Sequence, residues 1–315
     1  MTAGPRTGAV AVIGATGWVG GAVTAAFGRA GRPVVEVARR RRPPDTAGRR
    51  FHALDVAAAD PAELAALFAE ADVDTVVNAA GGWVTGAAEN ERAHVRLVEN
   101  LLAACARTPR PPRLVQIGSV HEYGPLPAGT AVDEVRAPNP GSVYARTKLA
   151  GAEAVLRATR EGAVDGVVLR VVNLCGPGAA AGFLGAAVRL LRAATPDRPA
   201  ELTVADAHRD YLDVRDLAGA VLAAATAPVT GQVINVGRGE VVPVSRLIDL
   251  LVAAAAPPPG AVRRRTAPVD SRGGDWTLAD IARAARLLGW RPQVELPASI
   301  KDMWNASRTD HLERA

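Results

Sequence analysis

Tyr144 and Lys148, in the stretch SVYARTK, stand four residues apart. On a helix that spacing puts both side chains on one face, pointing into one cleft. The chain has 37 basic Lys and Arg side chains, but only Lys148 and Lys301 are lysine, and it has three tyrosines. Arginine would hold its proton at any accessible pH and present a broad planar fork. Lysine offers a compact point charge, narrow enough to stand beside a phenol, and a cation there favours the phenolate. A phenol and an ammonium in one cleft form a proton-transfer pair. The plain alternative is an amphipathic helix without chemistry.

GATGWVGG sets Gly14, Gly17 and Gly20 directly after the apolar run AVAVIG (9–14) and at the opening of a helical stretch. Such glycines allow a tight turn and let the backbone approach a pyrophosphate at a helix N-terminus. Dinucleotide binding is expected there, with Thr16, Trp18 and Val19 in the same turn. The second strand-like run ends VEVARRRR. A carboxylate at that end accepts from a ribose 2′-hydroxyl. Here Ala38 stands there, followed by Arg39 and Arg40. Guanidinium pairs bidentately with a phosphate, which a carboxylate would repel. NADP is therefore expected, with Arg39 on its 2′-phosphate; Arg41 and Arg42 read as solvated. Asp55, beside Val56 in HALDV, is placed to meet the adenine edge, with an ordinary loop Asp as the competing reading. Asn78, Ala79, Ala80 and Gly81 in VVNAAG end a strand beside the cofactor, where a turn role for Asn78 competes.

The elements that must position these residues follow from periodicity. AVAVIG, PVVEVA (33–38), TVVNAA (75–80), RLVQIG (113–118) and VVLRVV (167–172) read as buried parallel strands. Residues 20–30, 61–71, 90–107 and 144–161 read as the helices between them. Repeated β-α units predict an α/β fold, a Rossmann-type doubly wound sheet. The dinucleotide-binding domain is expected over 1–173, and a smaller substrate lobe over 174–315, with segments near 205–240 returning to the sheet. CGPGAAAGF (175–183) reads as a loop followed by a helix to about 194. The proline and charge of 253–268 predict no core element there.

At 315 residues the chain fits one large domain or a main domain with a smaller partner. The formal charge of +5 suits an anionic ligand. Nucleic acid is disfavoured, because no basic stripe is interleaved with aromatics and no zinc-finger or RNA-recognition spacing is present. Cys105 and Cys175 lie in apolar contexts, which points to buried thiols in a reducing, cytoplasmic compartment. The opening residues lack the apolar core of a secretory signal, and no apolar run is long enough to span a bilayer. No metal site is expected.

Taken jointly, GATGWVG, VVNAAG, IGSVHEYG, YARTK, LRVVNLCGPG, RDYLDVRDLA and SRGGDW resemble the extended short-chain dehydrogenase/reductase family. The resemblance is to the nucleotide-sugar epimerase, dehydratase and reductase type, and spans about 9 to 305. It implies a catalytic Ser, Tyr and Lys at Ser119, Tyr144 and Lys148. Lys148 would lower the Tyr144 pKa and bond the nicotinamide ribose. Tyr144 would protonate a carbonyl oxygen as hydride arrives, with Ser119 donating to the same oxygen. The resemblance further implies sugar or phosphate contact at Asn173, and diphosphate and ribose contacts at Arg209, Arg272 and Asp275. It also implies dimerisation through a bundle that includes the Tyr-Lys helix, which LVENLLAACA (97–106) permits.

Departures from the pattern bear on the reaction. Dehydratases of this type carry Asp-Glu after the catalytic hydroxyl residue; here Val120 and His121 stand there, which disfavours dehydration. His121 reads as an acid/base, as a residue that orients substrate, or as a structural imidazole. Glu122 reads as a surface or supporting residue on the opposite side of an extended stretch. His94 replaces a common Asn, Cys175 reads as packing, and Asp213 and Asp216 as structural ties. An NADPH-dependent ketoreductase of a nucleotide-diphospho-deoxysugar, at C4 by resemblance, in natural-product (antibiotic) deoxysugar biosynthesis, is the leading expectation. An epimerase with recycled cofactor, a reductase of a polyketide or other non-sugar ketone, and a non-enzymatic dinucleotide sensor are its rivals.

Overall fold

The computed structural model describes residues 6–40, 50–267 and 274–307. Strands β1 (Ala9–Ile13), β2 (Val34–Ala38), β3 (Arg50–Ala53), β4 (Val73–Asn78), β5 (Arg113–Ser119) and β6 (Asp165–Val171) alternate with helices. Those helices are α1 (Trp18–Arg29), α2 (Pro61–Glu70), α3 (Ala87–Glu91), α4 (Leu97–Cys105) and α5 (Val143–Arg160). One π turn, Arg92–Arg96, joins α3 to α4. The chain continues through β7 (Asn173–Cys175), α6 (Gly182–Arg192), β8 (Ala200–Val204), β9 (His208–Asp213), α7 (Val214–Thr226) and β10 (Gln232–Val236). It ends through β11 (Val241–Pro243), α8 (Val244–Ala255), β12 (Val262–Thr266), β13 (Trp276–Thr277), α9 (Ala282–Leu288) and α10 (Leu296–Ala306).

A seven-stranded parallel sheet runs β10-β6-β5-β4-β1-β2-β3. Every residue of β1 and β5 is buried. That is why β1 reads as a continuous apolar run rather than an alternating one, while β5 buries Arg113 and Gln116 among its apolar residues. Strand order reverses between β1 and β4, which opens a crevice at the carboxyl ends of these strands. This is the α/β, Rossmann-type architecture that the periodicity predicts. β3 escaped that reading, because RFHA is short and half exposed and carries no apolar run.

The second half builds smaller sheets around β9, which pairs with β7, β11 and β13. A separate apolar cluster includes Leu184, Leu247, Ile248, Ile300 and Trp304. Within 253–268, where no core element is expected, β12 is an addition and not a core element. A strand does form there, but its VRRRT side chains are mostly exposed and it pairs only with β8. Asp213 caps helix α7, its carboxylate accepting from Arg215 N at 2.7 Å. Asp216 accepts from the backbone of Gln293 and Val294 at 3.0 and 2.9 Å. No helix among the described residues is long and apolar enough to cross a membrane.

Candidate active site

The glycine turn leaves β1 at Gly14, whose φ of +78° lies in the left-handed region. A Cβ on Gly14 would meet the Ala80 backbone at 2.9 Å, and one on Gly20 would meet Gly14 O at 2.1 Å. Close approach therefore requires glycine at both positions. Gly17 caps the twelve-residue α1, which has no side-chain cap and no acidic residue in its first turn. The helix thus presents backbone N–H groups suited to an anion. Thr16, Trp18 and Val19 complete this turn, and the Trp18 indole N–H donates to Pro177 O at 2.7 Å. Asn78 is spent locally: its Oδ1 accepts from Ala80 N at 3.2 Å and its amide donates to Gln116 at 2.9 Å. Ala79, Ala80 and Gly81 follow it past the glycine turn.

Arg39 and Arg40 stand exposed where β2 ends, while Arg41 and Arg42 lie outside the described residues. The Asp55 carboxylate pairs with Arg92 at 2.6 Å. Val56 is buried, and its carbonyl accepts from Asn100 at 3.0 Å.

Ser142 opens α5 by accepting from Ala145 N at 3.1 Å. Tyr144 and Lys148 follow on one face, and Ser119 ends the adjacent β5. Tyr144 is half-buried. Burial pushes its pKa up to about 12, against a lowering by hydrogen bonding from Ser119, and the Glu122 charge adds to the rise. The expected depression by Lys148 is thus not found. The Lys148 ammonium, itself buried, donates to Ile117 O at 2.6 Å. Burial also pushes Lys148 down to about 8, while the Glu122 charge pulls it back up.

Three rings surround Tyr144. Trp83 stacks on it with centroids 3.8 Å apart and planes 16° apart. His94 and His121 present edges at 5.2 and 6.3 Å. His94 answers what replaces the common Asn. Its Nε2–H donates to Gly81 O at 3.0 Å, and its Nδ1 meets the Thr147 hydroxyl at 2.8 Å. A carbonyl only accepts, so it fixes the tautomer with the proton on Nε2. Burial, then the Lys148 charge, lowers the His94 pKa to about 4. Burial, then Arg209, does the same for His121. Both imidazoles are neutral at physiological pH.

These shifts predict acid sensitivity. His94 and His121 bind protons less readily folded than unfolded, so stability is lost as pH falls from 6.5 toward about 4. Asp210 opposes this: burial raises its pKa to about 6, so below pH 6 its protonation favours the folded chain and offsets one histidine. The melting temperature is expected to fall between about pH 7 and about pH 5, and His94→Asn to reduce that fall. An equal fall in the variant would remove His94 as a source.

Of the two readings of Glu122, the surface one fails and the supporting one matches its contact with Ser119. Val120–Tyr123 forms a 3₁₀ turn rather than an extended stretch, and turns Glu122 inward to 0% exposure. Its carboxylate accepts from Ser119 N at 2.7 Å and from Arg170 Nε at 2.7 Å. Arg170 also lies 4.4 Å over the Tyr123 ring, whose hydroxyl donates to Asn235 at 2.8 Å.

On the second lobe, Arg209 is buried on β9 and donates to Gly274 O. β13 lies parallel to β9, and Asp275 O accepts from His208 N at 2.8 Å. The Asn173 amide reaches Asp210 O at 3.4 Å. Arg272 lies outside the described residues. Cys175 is buried and meets Ser299 Oγ at 3.2 Å.

The model of the NAD dependent epimerase/dehydratase family matches residues 10–237. The chain belongs to that family. Within it, the chain is 38% identical to dTDP-6-deoxy-L-talose 4-dehydrogenase (NAD(P)(+)) of Kitasatospora kifunensis, over 95% of this chain and 96% of the other. Its fold matches MoeE5 in complex with UDP-glucuronic acid and NAD, with a TM-score of 0.83 and 26% identity over 96% of this chain and 100% of that one. It also matches RMD from Pseudomonas aeruginosa complexed with NADPH, with a TM-score of 0.79 and 24% identity over 96% and 100%.

In this epimerase/dehydratase-family chain, Ser119, Tyr144 and His121 come together at the carboxyl end of β5, with Lys148 one turn along α5, and the Arg209 charge on β9 acts on His121. Trp83 was not singled out from the sequence. Its one available signal was an aromatic residue directly after the Gly81-Gly82 pair that follows β4, in a chain with only 4% aromatics.

Proposed function

We propose that this chain is an NADP-dependent ketoreductase acting at C4 of a nucleotide-diphospho-6-deoxyhexose. The observation that carries this is the grouping of Tyr144, Ser119 and Lys148 at the end of β5, at the same carboxyl edge of the parallel sheet as a glycine turn after β1 that fits a pyrophosphate. The name of the Kitasatospora relative supports both the deoxysugar and C4, since dehydrogenation and ketoreduction are one reaction run in opposite directions.

The turn Gly14–Gly20 and Arg39 would hold the dinucleotide, which when bound supplies the hydride. Tyr144, with its pKa near 12, keeps its proton at neutral pH and is therefore the acid toward the developing alkoxide. Ser119 accepts from His121 N at 3.2 Å and hydrogen-bonds the Tyr144 hydroxyl, so a substrate carbonyl placed between the two hydroxyls would take over that hydrogen. Lys148 places a cation beneath the site. Val120, buried and apolar, has no proton to move, which speaks against water elimination. Arg209, with Arg272, Asp275 and Asn173, is assigned to the sugar nucleotide, and 174–315 to the substrate lobe.

Purified protein is expected to consume NADPH with dTDP-4-keto-6-deoxyglucose, its epimers or its deoxy derivatives. Failure to reduce any of them overturns the reading. The His121 ring, 6.3 Å from Tyr144, favours a second reading: an epimerase with retained cofactor, which would turn over without net NADPH consumption. Arg39→Ala is expected to raise the KM for NADPH about tenfold and leave that for NADH within about twofold. Equal losses with both cofactors would detach Arg39 from a 2′-phosphate.

A further inference from the structure

We propose that Trp83 is a specificity-determining residue that forms the apolar wall of the sugar pocket. It selects a hexose ring with a deoxygenated face. This rests on the reading that Tyr144 and Ser119 meet the carbonyl of a nucleotide sugar.

Trp83 is 48% exposed, the most exposed of the aromatic side chains among the described large hydrophobics. A single exposed apolar residue ordinarily needs no explanation. Trp83 differs because of where its indole lies. It stacks on the Tyr144 ring at 3.8 Å and meets the His121 edge at 5.5 Å. A carbonyl that accepts from both Tyr144 and Ser119 must sit within hydrogen-bond reach of two hydroxyls flanked by these rings. The carbon atoms attached to that carbonyl then come against the indole and the neutral imidazole.

The position of Trp83 is held from both sides. Gly81 O accepts from His94 at 3.0 Å, and Val84 O and Gly86 O accept from the Asn90 amide at 3.0 and 2.8 Å. The backbone of the loop that carries Trp83 is therefore pinned to the helices beside α5, and stacking on Tyr144 sets the indole as a wall. A fixed aromatic wall favours C–H groups and methyls over hydroxyls, because an apolar surface satisfies no hydrogen bond of a buried hydroxyl. Polar recognition falls to the second lobe, where Arg209 lies.

The test compares wild type, Trp83→Ala and Trp83→Phe for binding of dTDP-4-keto-6-deoxyglucose and of dTDP alone, and for KM and kcat. Trp83→Ala is expected to weaken sugar-nucleotide binding and raise its KM about tenfold, with the Kd for dTDP within about twofold and kcat within about threefold. Trp83→Phe is expected to recover part of the loss. Wild-type KM in Trp83→Ala overturns the proposal. So does an equal loss for dTDP and its sugar, or a loss of kcat at constant KM, which would mean that Trp83 acts only through Tyr144. Wild type that binds neither ligand would instead overturn the underlying reading.

Discussion

Tyr144→Phe is expected to lower kcat by about 10³-fold, with the Kd for NADPH unchanged, because it deletes the proton donor and little else. Phenylalanine keeps the ring that stacks on Trp83 and faces His94 and His121, so the surrounding packing survives. The neighbours that shift the Tyr144 pKa are Ser119 and Glu122. Loss of the hydroxyl removes the one group poised to protonate the alkoxide. Steady-state kinetics with NADPH and a keto-deoxysugar nucleotide would read this directly, and undiminished turnover would refute the mechanism. In wild type, reduction should slow above about pH 8, where Lys148 loses its charge, although Tyr144, pushed up to about 12, still holds its proton.

The second large effect concerns stability. Arg170→Met is expected to cost about 3–5 kcal/mol, visible as a lower denaturant midpoint, because it strands the Glu122 carboxylate in the core. Glu122 is 0% exposed and Arg170 is 4% exposed, so water replaces neither partner. The same carboxylate orders Ser119 N, which couples the loss to the site. Glu122→Gln keeps an acceptor for that N–H and should cost less. Replacing both, with Glu122→Leu and Arg170→Met, should recover part of the loss, since an apolar pair removes the uncompensated charge. A near-wild-type midpoint for Arg170→Met alone would mean that the pair contributes little.

What was legible in the sequence was what local pattern encodes. Buried parallel strands leave unbroken runs such as AVAVIG, and Tyr144 and Lys148 share a helix face through their spacing alone. The glycine turn announces itself because backbone contacts at Gly14 and Gly20 tolerate no side chain. What was hidden depends on tertiary contact. The stacking of Trp83 on Tyr144 joins residues 61 positions apart, and no periodicity records it. Glu122 was misplaced because a 3₁₀ turn reverses the facing that an extended strand would give. The cation of Lys148 was assigned to the phenol from spacing, yet it donates to Ile117 O, a backbone acceptor that no side-chain pattern reveals.

The π turn at Arg92–Arg96 holds one residue more than the α repeat. In an α-helix each residue advances the facing by about 100°. The run from Ala87 to Cys105 is therefore two helices out of phase, although it looks continuous. That one extra residue lets His94 face Gly81 and Thr147 while Leu97, Val98, Leu101 and Cys105 still face the core. The length of this segment is consequently as fixed as its composition. A shortening by one residue would force a choice between the buried imidazole and the apolar face of α4.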